Sequence, residues 1–189
     1  MLKLSFNTKI RLPEICQAPF SEAVRTQNRR AIREQTDRAA VDAVLEALAP
    51  LRQHYSVEEM THNHRGYDIL IDHRVRVQIK GATYLDYYSG IFKNFEFDAA
   101  VIVDLGVCIR ERHRHNGKYP HSDYIGFFIF PRQVVEVGVY RGSRDYGLYA
   151  KKDPVANVRP SRNGYRFAEF HQYRDRFDII GNLVCSGTS

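Results

Sequence analysis

The chain has little that would tie it to a disulfide scaffold, a zinc site or a membrane. Its three cysteines, Cys16, Cys108 and Cys185, are far apart and odd in number. No CxxC pair is present, so a redox motif and a structural zinc ribbon are both excluded, and the expectation is three thiols in or near the core. No apolar run approaches the ~18 residues needed to span a bilayer. Met1 to Lys9 alternates like a strand and lacks the long apolar centre of a signal peptide. An intracellular, cytoplasmic protein is expected. There is no internal repeat and no low-complexity tract. Acidic residues are the minority charge: 22 Asp and Glu stand against 28 Lys and Arg, a formal net charge of +6. That excess favours polyanionic partners only weakly until the charges are located.

What is present suits one globular domain. The 189 residues are enough for one real core, and 43% hydrophobic against 26% charged residues is a folded composition. Residues 1–12 read as a strand ended by Pro13. From about Ser21 to Leu51 there is no glycine or proline before Pro50, and Ala31, Ile32, Ala39, Val41, Val44, Leu45 and Leu48 recur near a 3.6-residue period. This is a long helix with a candidate break at Gln35-Thr36. Strands are expected at Tyr55–Met60, Tyr67–Ile71, Val75–Ile79, Phe97–Leu105 and Asp123–Phe130. The Phe97–Leu105 run is continuously apolar, as a buried strand is. Asn116-Gly117 marks a hairpin turn between the last two. Residues 132–137 suit a short helical turn or strand, and 141–165 a loop crossed by one short strand. Phe167–Ile180, with apolar residues at 167, 170, 173, 177 and 180, suits an amphipathic C-terminal helix ended by Gly181. The order strand, long helix, run of strands, helix gives an α/β (α+β) domain with a mixed sheet. One domain spans 1–189, with its core about 21–137 and a basic elaboration at 138–189.

The chemistry concentrates at Gly66-Tyr67-Asp68-Ile69-Leu70-Ile71 and Val75-Arg76-Val77-Gln78-Ile79-Lys80-Gly81, joined by a tight turn at Asp72-His73-Arg74. Alternation puts Val75, Val77 and Ile79 on one face and Arg76, Gln78 and Lys80 on the other. Asp68 at the mouth of the first strand then lies beside Gln78 and Lys80. A carboxylate, an amide oxygen and an ammonium on one sheet edge suit a divalent cation and a phosphodiester. The competing interpretation makes Arg76, Gln78 and Lys80 the wet face of an antiparallel strand.

A long helix carrying an acid, a strand with an aspartate and a strand ending in QxK together resemble the PD-(D/E)xK nuclease superfamily. Asp98 at the head of a buried strand and the strand Phe127–Pro131 fit the same pattern, over about residues 30 to 137. The QxK form is similar to that of group I intron-associated homing endonucleases. This chain departs from the usual pattern in carrying Tyr67 where a proline precedes the aspartate, and Gln78 in place of an acid. The resemblance implies a restriction-endonuclease-like core flanked by helices and a magnesium-dependent endodeoxyribonuclease, with Mn2+ able to substitute. It also implies a homodimer or higher homo-oligomer acting on double-stranded DNA. Asp68 would be the central metal ligand and the Ile79 main-chain carbonyl a further one. Lys80 would meet the scissile phosphate or the attacking water. A second acid is needed beside the neutral Gln78. Glu34, Asp37, Val41, Val44 and Leu48 form an i+3/i+4 stripe that would aim Glu34, or next Asp37, at Asp68.

Candidate DNA contacts are Arg25, Arg29 and Arg33, spaced at i+4 near the helix start; Arg112, Arg114 and Lys118 in the basic hairpin loop; and Arg141 and Arg144, interleaved with Tyr140, Tyr146 and Tyr149. The aromatic-rich segment Tyr84–Phe97 is a candidate surface interface. His62, His64, His73, His113, His115 and His121 lack a cysteine or a third close histidine that would complete a zinc set. A DNA-binding module without cleavage and a structure-selective junction or repair nuclease are the alternatives.

Overall fold

The computed structural model describes residues 5–11, 29–61, 64, 66–82, 87–105, 124–142, 144–151 and 165–186. Among these, α1 (Arg29–Ala47) and a 3-10 turn (Leu51–Gln53) precede β1 (Val57–Glu59), β2 (Ile69–Ile71), β3 (Val75–Ala82), β4 (Tyr87–Phe92) and β5 (Ala99–Asp104). Then come β6 (Gly126–Pro131), α2 (Arg132–Gly138), β7 (Tyr140–Arg141), β8 (Tyr146–Lys151), α3 (Phe167–His171) and α4 (Asp178–Ser186). The fold is mixed α+β. A five-stranded sheet has the order β1-β2-β3-β5-β6, and a three-stranded sheet the order β4-β8-β7. Among the described strands β3 and β5 pair in parallel and the other strand pairs are antiparallel.

Each face of the larger sheet carries its own core. On one face Val75, Val77, Ile79, Val101, Val103 and Phe127 pack against α1 and α4. On the other, Ala100, Ile102, Phe128 and Phe130 pack against the small sheet, α2 and α3. This double covering explains why β5 is buried along its whole length and why its sequence does not alternate. Alanines line the contact side of α1: Ala39, Ala40, Ala43 and Ala47 are almost fully buried, and their small side chains let the helix lie close to the sheet. The helix continues unbroken through Gln35-Thr36. There Thr36 meets Gly81, whose missing side chain leaves room for it.

The small sheet accounts for two differences from the sequence reading. Residues 141–165 were expected as loop crossed by one short strand; β8 is that strand, and β7 adds a second that starts just before the range at Tyr140. The Tyr84–Phe97 segment, expected as a surface interface, turns most of its described aromatics inward and leaves Ile91 exposed. β4 and the turn after it bury Tyr88, Phe92 and Phe97 in the second core, because they are the cover that β5 and β6 need on that face.

The C-terminal helix is also two helices. Phe170 belongs to the second core, whereas Phe177, Ile180 and Val184 belong to the first. One straight helix cannot reach both faces, so the chain crosses the β6 edge between them. The Ile129 N–H donates to the Tyr173 carbonyl at 2.9 Å and the Asp175 N–H to the Phe127 carbonyl at 2.7 Å. Asp175 turns this corner at φ 55°, and Gly181 lies inside α4 rather than after it. The expected N-terminal strand is not formed over residues 5–11. Ile10 is nonetheless buried, accepts the Ile125 N–H at 3.0 Å, and follows Phe6, which stacks on Phe177. Of the cysteines, Cys185 is a half-buried thiol 3.9 Å from the Tyr55 hydroxyl, and Cys16 and Cys108 lie outside the described residues.

Polar groups enter the second core where α3 meets β4. The Tyr88 hydroxyl lies 3.0 Å from His171 Nε2. Burial, reinforced by the Arg174 charge and opposed by Asp104, lowers the His171 pKa to about 4. Burial likewise raises the Asp175 carboxyl above its usual range, against the charge of Arg174.

Candidate active site at the β2–β3 fork

β2 and β3 pair only between Ile69–Ile71 and Val75–Val77. Their turn is tight: Asp72 and His73 both take positive φ, 51° and 54°, and the Arg74 N–H returns to the Ile71 carbonyl at 3.1 Å. Past Val77 the strands part, and β3 runs on beside β5 to Ala82. Asp68 sits in this fork. Its own N–H donates to the Val77 carbonyl and its carbonyl accepts the Met60 N–H, both at 2.9 Å. Its side chain then reaches back to β3. Oδ2 accepts the Ile79 N–H at 2.6 Å and an N–H of the Gln78 amide. The carboxylate thus stands where a neighbouring strand's carbonyl would otherwise be. Oδ1 takes no hydrogen bond from a described residue.

Gln78 is buried, at 9% exposure. Its Nε2 is also 3.5 Å from the Ile79 carbonyl. The amide therefore shows nitrogen to Asp68, not the oxygen expected from the sequence, because an ionised carboxylate accepts only. The Ile79 carbonyl shares the fork side of β3 with its N–H. Asp68 Oδ1 and this carbonyl are hard oxygen donors. A set with one carboxylate fits a magnesium ion that keeps several waters. Among the described residues, no three Asp, Glu, His or Cys side chains gather into a denser metal cluster.

Lys80 follows Gln78 on the same face of β3, about 7 Å along the strand, and is half-buried. The residue after it is the glycine that admits α1. A Cβ there would lie 3.0 Å from Thr36 Cγ2 and 3.3 Å from the Thr36 carbonyl oxygen. The stripe of α1 that meets the sheet is Thr36, Ala40, Ala43, Val44 and Ala47, rather than one through Val41, which is only half-buried. At about 100° per residue, Asp37 lies about 100° and Glu34 about 160° around the helix from Thr36. Both acids are exposed. The structure thus joins Asp68, Gln78 and Ile79 by hydrogen bonds, and sets Glu34 one half-turn of helix from the Thr36–Gly81 contact.

Arg76 has a role that strand alternation did not reveal. Its Nε and Nη2 bind the two oxygens of Asp98 at 3.1 and 3.0 Å, and its N–H adds a third bond at 2.8 Å. The Asp98 N–H returns to the Arg76 carbonyl at 2.8 Å, and the Asp98 carbonyl accepts the Arg132 N–H at 3.0 Å. Burial pushes the Asp98 carboxyl upward, but the Arg76 hydrogen bonds and charge outweigh it and hold the group below its usual range. This clamp fixes β3 against β5 just before Gln78. The aspartate at the strand head was the available signal, and its arginine partner was not identifiable from spacing. Ahead of Asp68, Gly66 takes φ 99° against Glu96, and the Tyr67 ring packs at 4.3 Å on His64.

Of the proposed DNA contacts, Arg141 on β7 and Arg144 in the following turn are exposed. Arg29 and Arg33 lie in α1, with side chains outside the described residues. Arg25, Arg112, Arg114 and Lys118 lie outside them altogether, as does the Asn116-Gly117 turn. His62, His113, His115 and His121 also lie outside, while His73 is 3.0 Å from Glu58. No described helix is long and apolar enough to cross a membrane.

No protein-family model matches the chain, and no curated protein matches it in sequence. Among solved structures it is similar to a bacterial homing endonuclease, I-Ssp6803I, with 16% identity and a TM-score of 0.45, over 82% of this chain and 97% of that one. At that level the likeness assigns no family, and the functional reading rests on the residues of the fork.

Proposed function

We propose that the protein is a metal-dependent endodeoxyribonuclease that hydrolyses phosphodiester bonds in double-stranded DNA, of homing or restriction type. The observation that supports this reading best is the Asp68 carboxylate fixed in the fork by Gln78 and Ile79, with Lys80 next on the same face. Asp68, the Ile79 carbonyl and an acid from α1, Glu34 first and Asp37 second, would hold a magnesium ion. Such an ion polarises a phosphoryl oxygen and lowers the pKa of a bound water. Lys80 stabilises the negative charge that builds on the phosphoryl oxygens as water attacks phosphorus in line. One P–O bond forms and the opposite P–O bond breaks, with no covalent enzyme intermediate. Gln78 holds Asp68 in place from the buried side. Arg141 and Arg144 position the DNA backbone, and two copies of the chain would supply one site per strand.

Lys80→Ala, incubated with supercoiled plasmid and magnesium, is expected to cut at least ~100-fold more slowly, the scale of losing one transition-state charge partner, while still binding duplex DNA. Cutting at the wild-type rate refutes the assignment. One observation favours a second reading, a DNA-binding module that does not cleave: the Gln78 amide already donates to the carboxylate. Binding without cuts by the wild-type protein would establish it.

A further inference from the structure

The small sheet turns one face into the second core; on its other face Ile91 and Tyr140 are exposed, Tyr149 is half-buried and Ser89 between them is buried. Strand register puts Ile91, Gly147 and Tyr140 in one row across β4, β8 and β7, with the Ile91 and Tyr140 side chains on the outer face. Ile91 is 41% and Tyr140 54% exposed; among the described residues Val137 is the other exposed large hydrophobic side chain. Between them Gly147 supplies a flat spot, and the Tyr149 ring lies over it: a Cβ at Gly147 would fall 2.2 Å from a Tyr149 ring carbon. Any side chain at 147 would lift that ring. Tyr149 is itself half-buried, on the same outer face. Cations stand at both ends, Arg144 exposed in the β7–β8 turn and Lys151 at the end of β8. The carboxylate of that turn, Asp145, is folded back against Gly142.

We infer that this face is a stacking platform for an unpaired stretch of nucleic acid. Tyr140 and Tyr149 offer ring faces to successive bases, Ile91 fills the apolar floor, and Arg144 and Lys151 take the phosphates. Aromatic rings on a sheet with basic ends suit bases that are already splayed, since a duplex keeps its base faces stacked on one another. Charge complementarity favours this occupant over a second copy of the chain, which carries the same cations and the same net charge of +6. The platform does not depend on the cleavage site: loss of cutting in Lys80→Ala leaves it unaffected.

The test is fluorescence anisotropy of the full-length protein with a labelled oligothymidylate, against a blunt duplex of equal length. Tyr140→Ala and Tyr149→Ala are each expected to weaken single-strand binding about fivefold or more, the scale of one lost base–aromatic stack, and to weaken duplex binding, which Arg141 and Arg144 hold through phosphates, by a clearly smaller factor. Tyr140→Phe keeps the ring and should bind as wild type. Tyr140 is more than half exposed, so its alanine variant should fold, and an unchanged melting curve verifies that. Unaltered single-strand affinity in both alanine variants overturns the inference. So does a Tyr140→Ala protein that separates from a dimer into monomers while its oligonucleotide binding stays the same.

Discussion

Asp68 does two jobs that substitution can separate. Its Oδ2 is the shared acceptor for the Ile79 N–H and the Gln78 amide. Asp68→Ala removes that acceptor and leaves two donors on β3, one of them on a buried side chain. A buried donor left unsatisfied costs about 1–3 kcal/mol. Asp68 is half-buried, so water reaches part of the gap and the combined loss should be about 2–3 kcal/mol. For a chain of this size each kcal/mol moves the melting temperature by about 2–4 °C, which gives a drop of about 4–12 °C. Asp68→Asn behaves differently. Its carbonyl oxygen can take the place of Oδ2 and keep both bonds, losing only their charge assistance, about 1 kcal/mol or less. It also removes the negative charge that the proposed chemistry requires. Thermal melts followed by circular dichroism, beside plasmid cleavage in magnesium, read the two effects independently. Asn should melt well above Ala, and neither should cut. If Asn and Ala melt together, the hydrogen-bond account of the fork is wrong. If Asn cuts at the wild-type rate, the site assignment is wrong even where the melts agree.

Three further expectations follow from the packing. Gly81→Ala puts a Cβ 3.0 Å from Thr36 Cγ2 and 3.1 Å from Leu105 Cδ1, an overpacking loss of about 1–3 kcal/mol; in a Thr36→Ser background, which lacks that methyl, denaturant melts should show a smaller loss. His171 has a folded pKa of about 4 against an ordinary 6.5, so below pH 6.5 the unfolded chain binds a proton that the native state refuses. Stability should therefore fall between pH 6.5 and 4, by at most about 3 kcal/mol, and His171→Gln should flatten that limb in urea titrations. The Asp175 carboxyl is raised by burial, so its ionised form opposes folding above the folded pKa, and the penalty vanishes as pH falls below the unfolded value. Asp175→Asn, which also tolerates the positive φ of that corner, should raise the melting temperature at pH 7 and do so less near pH 4.

Local patterns were legible wherever one physical requirement dominated. The tight turn at Asp72-His73-Arg74, the alternation along β3 and the continuous apolar run of β5 each follow from spacing and composition. The α1 helix follows from alanine and the lack of glycine and proline. What spacing did not give were features that depend on a second layer. Tyr88, Phe92 and Phe97 look like surface aromatics until the far face of β5 and β6 needs a cover. Phe167–Ile180 carries a helical period, yet its apolar residues serve opposite faces of one sheet. Arg76 alternates to the polar side of β3, and only the approach of Asp98 shows that it is clamped rather than solvated. The rotation of α1 was equally hidden, because the contact stripe is set by where Gly81 lets the helix come closest.

The sequence by itself determined the elements and the residue types that could do chemistry, because hydrophobic period and turn composition act over a few neighbours. It also brought Asp68 and Gln78 onto adjoining strands, since a three-residue turn leaves few other registers. Tertiary structure alone decided that β2 stops where β3 continues, so that the aspartate side chain bonds to the longer strand in place of a neighbouring strand. It alone decided which way the buried amide faces and that a second sheet covers the far face of β5 and β6, because those outcomes depend on donors and surfaces brought together from distant parts of the chain.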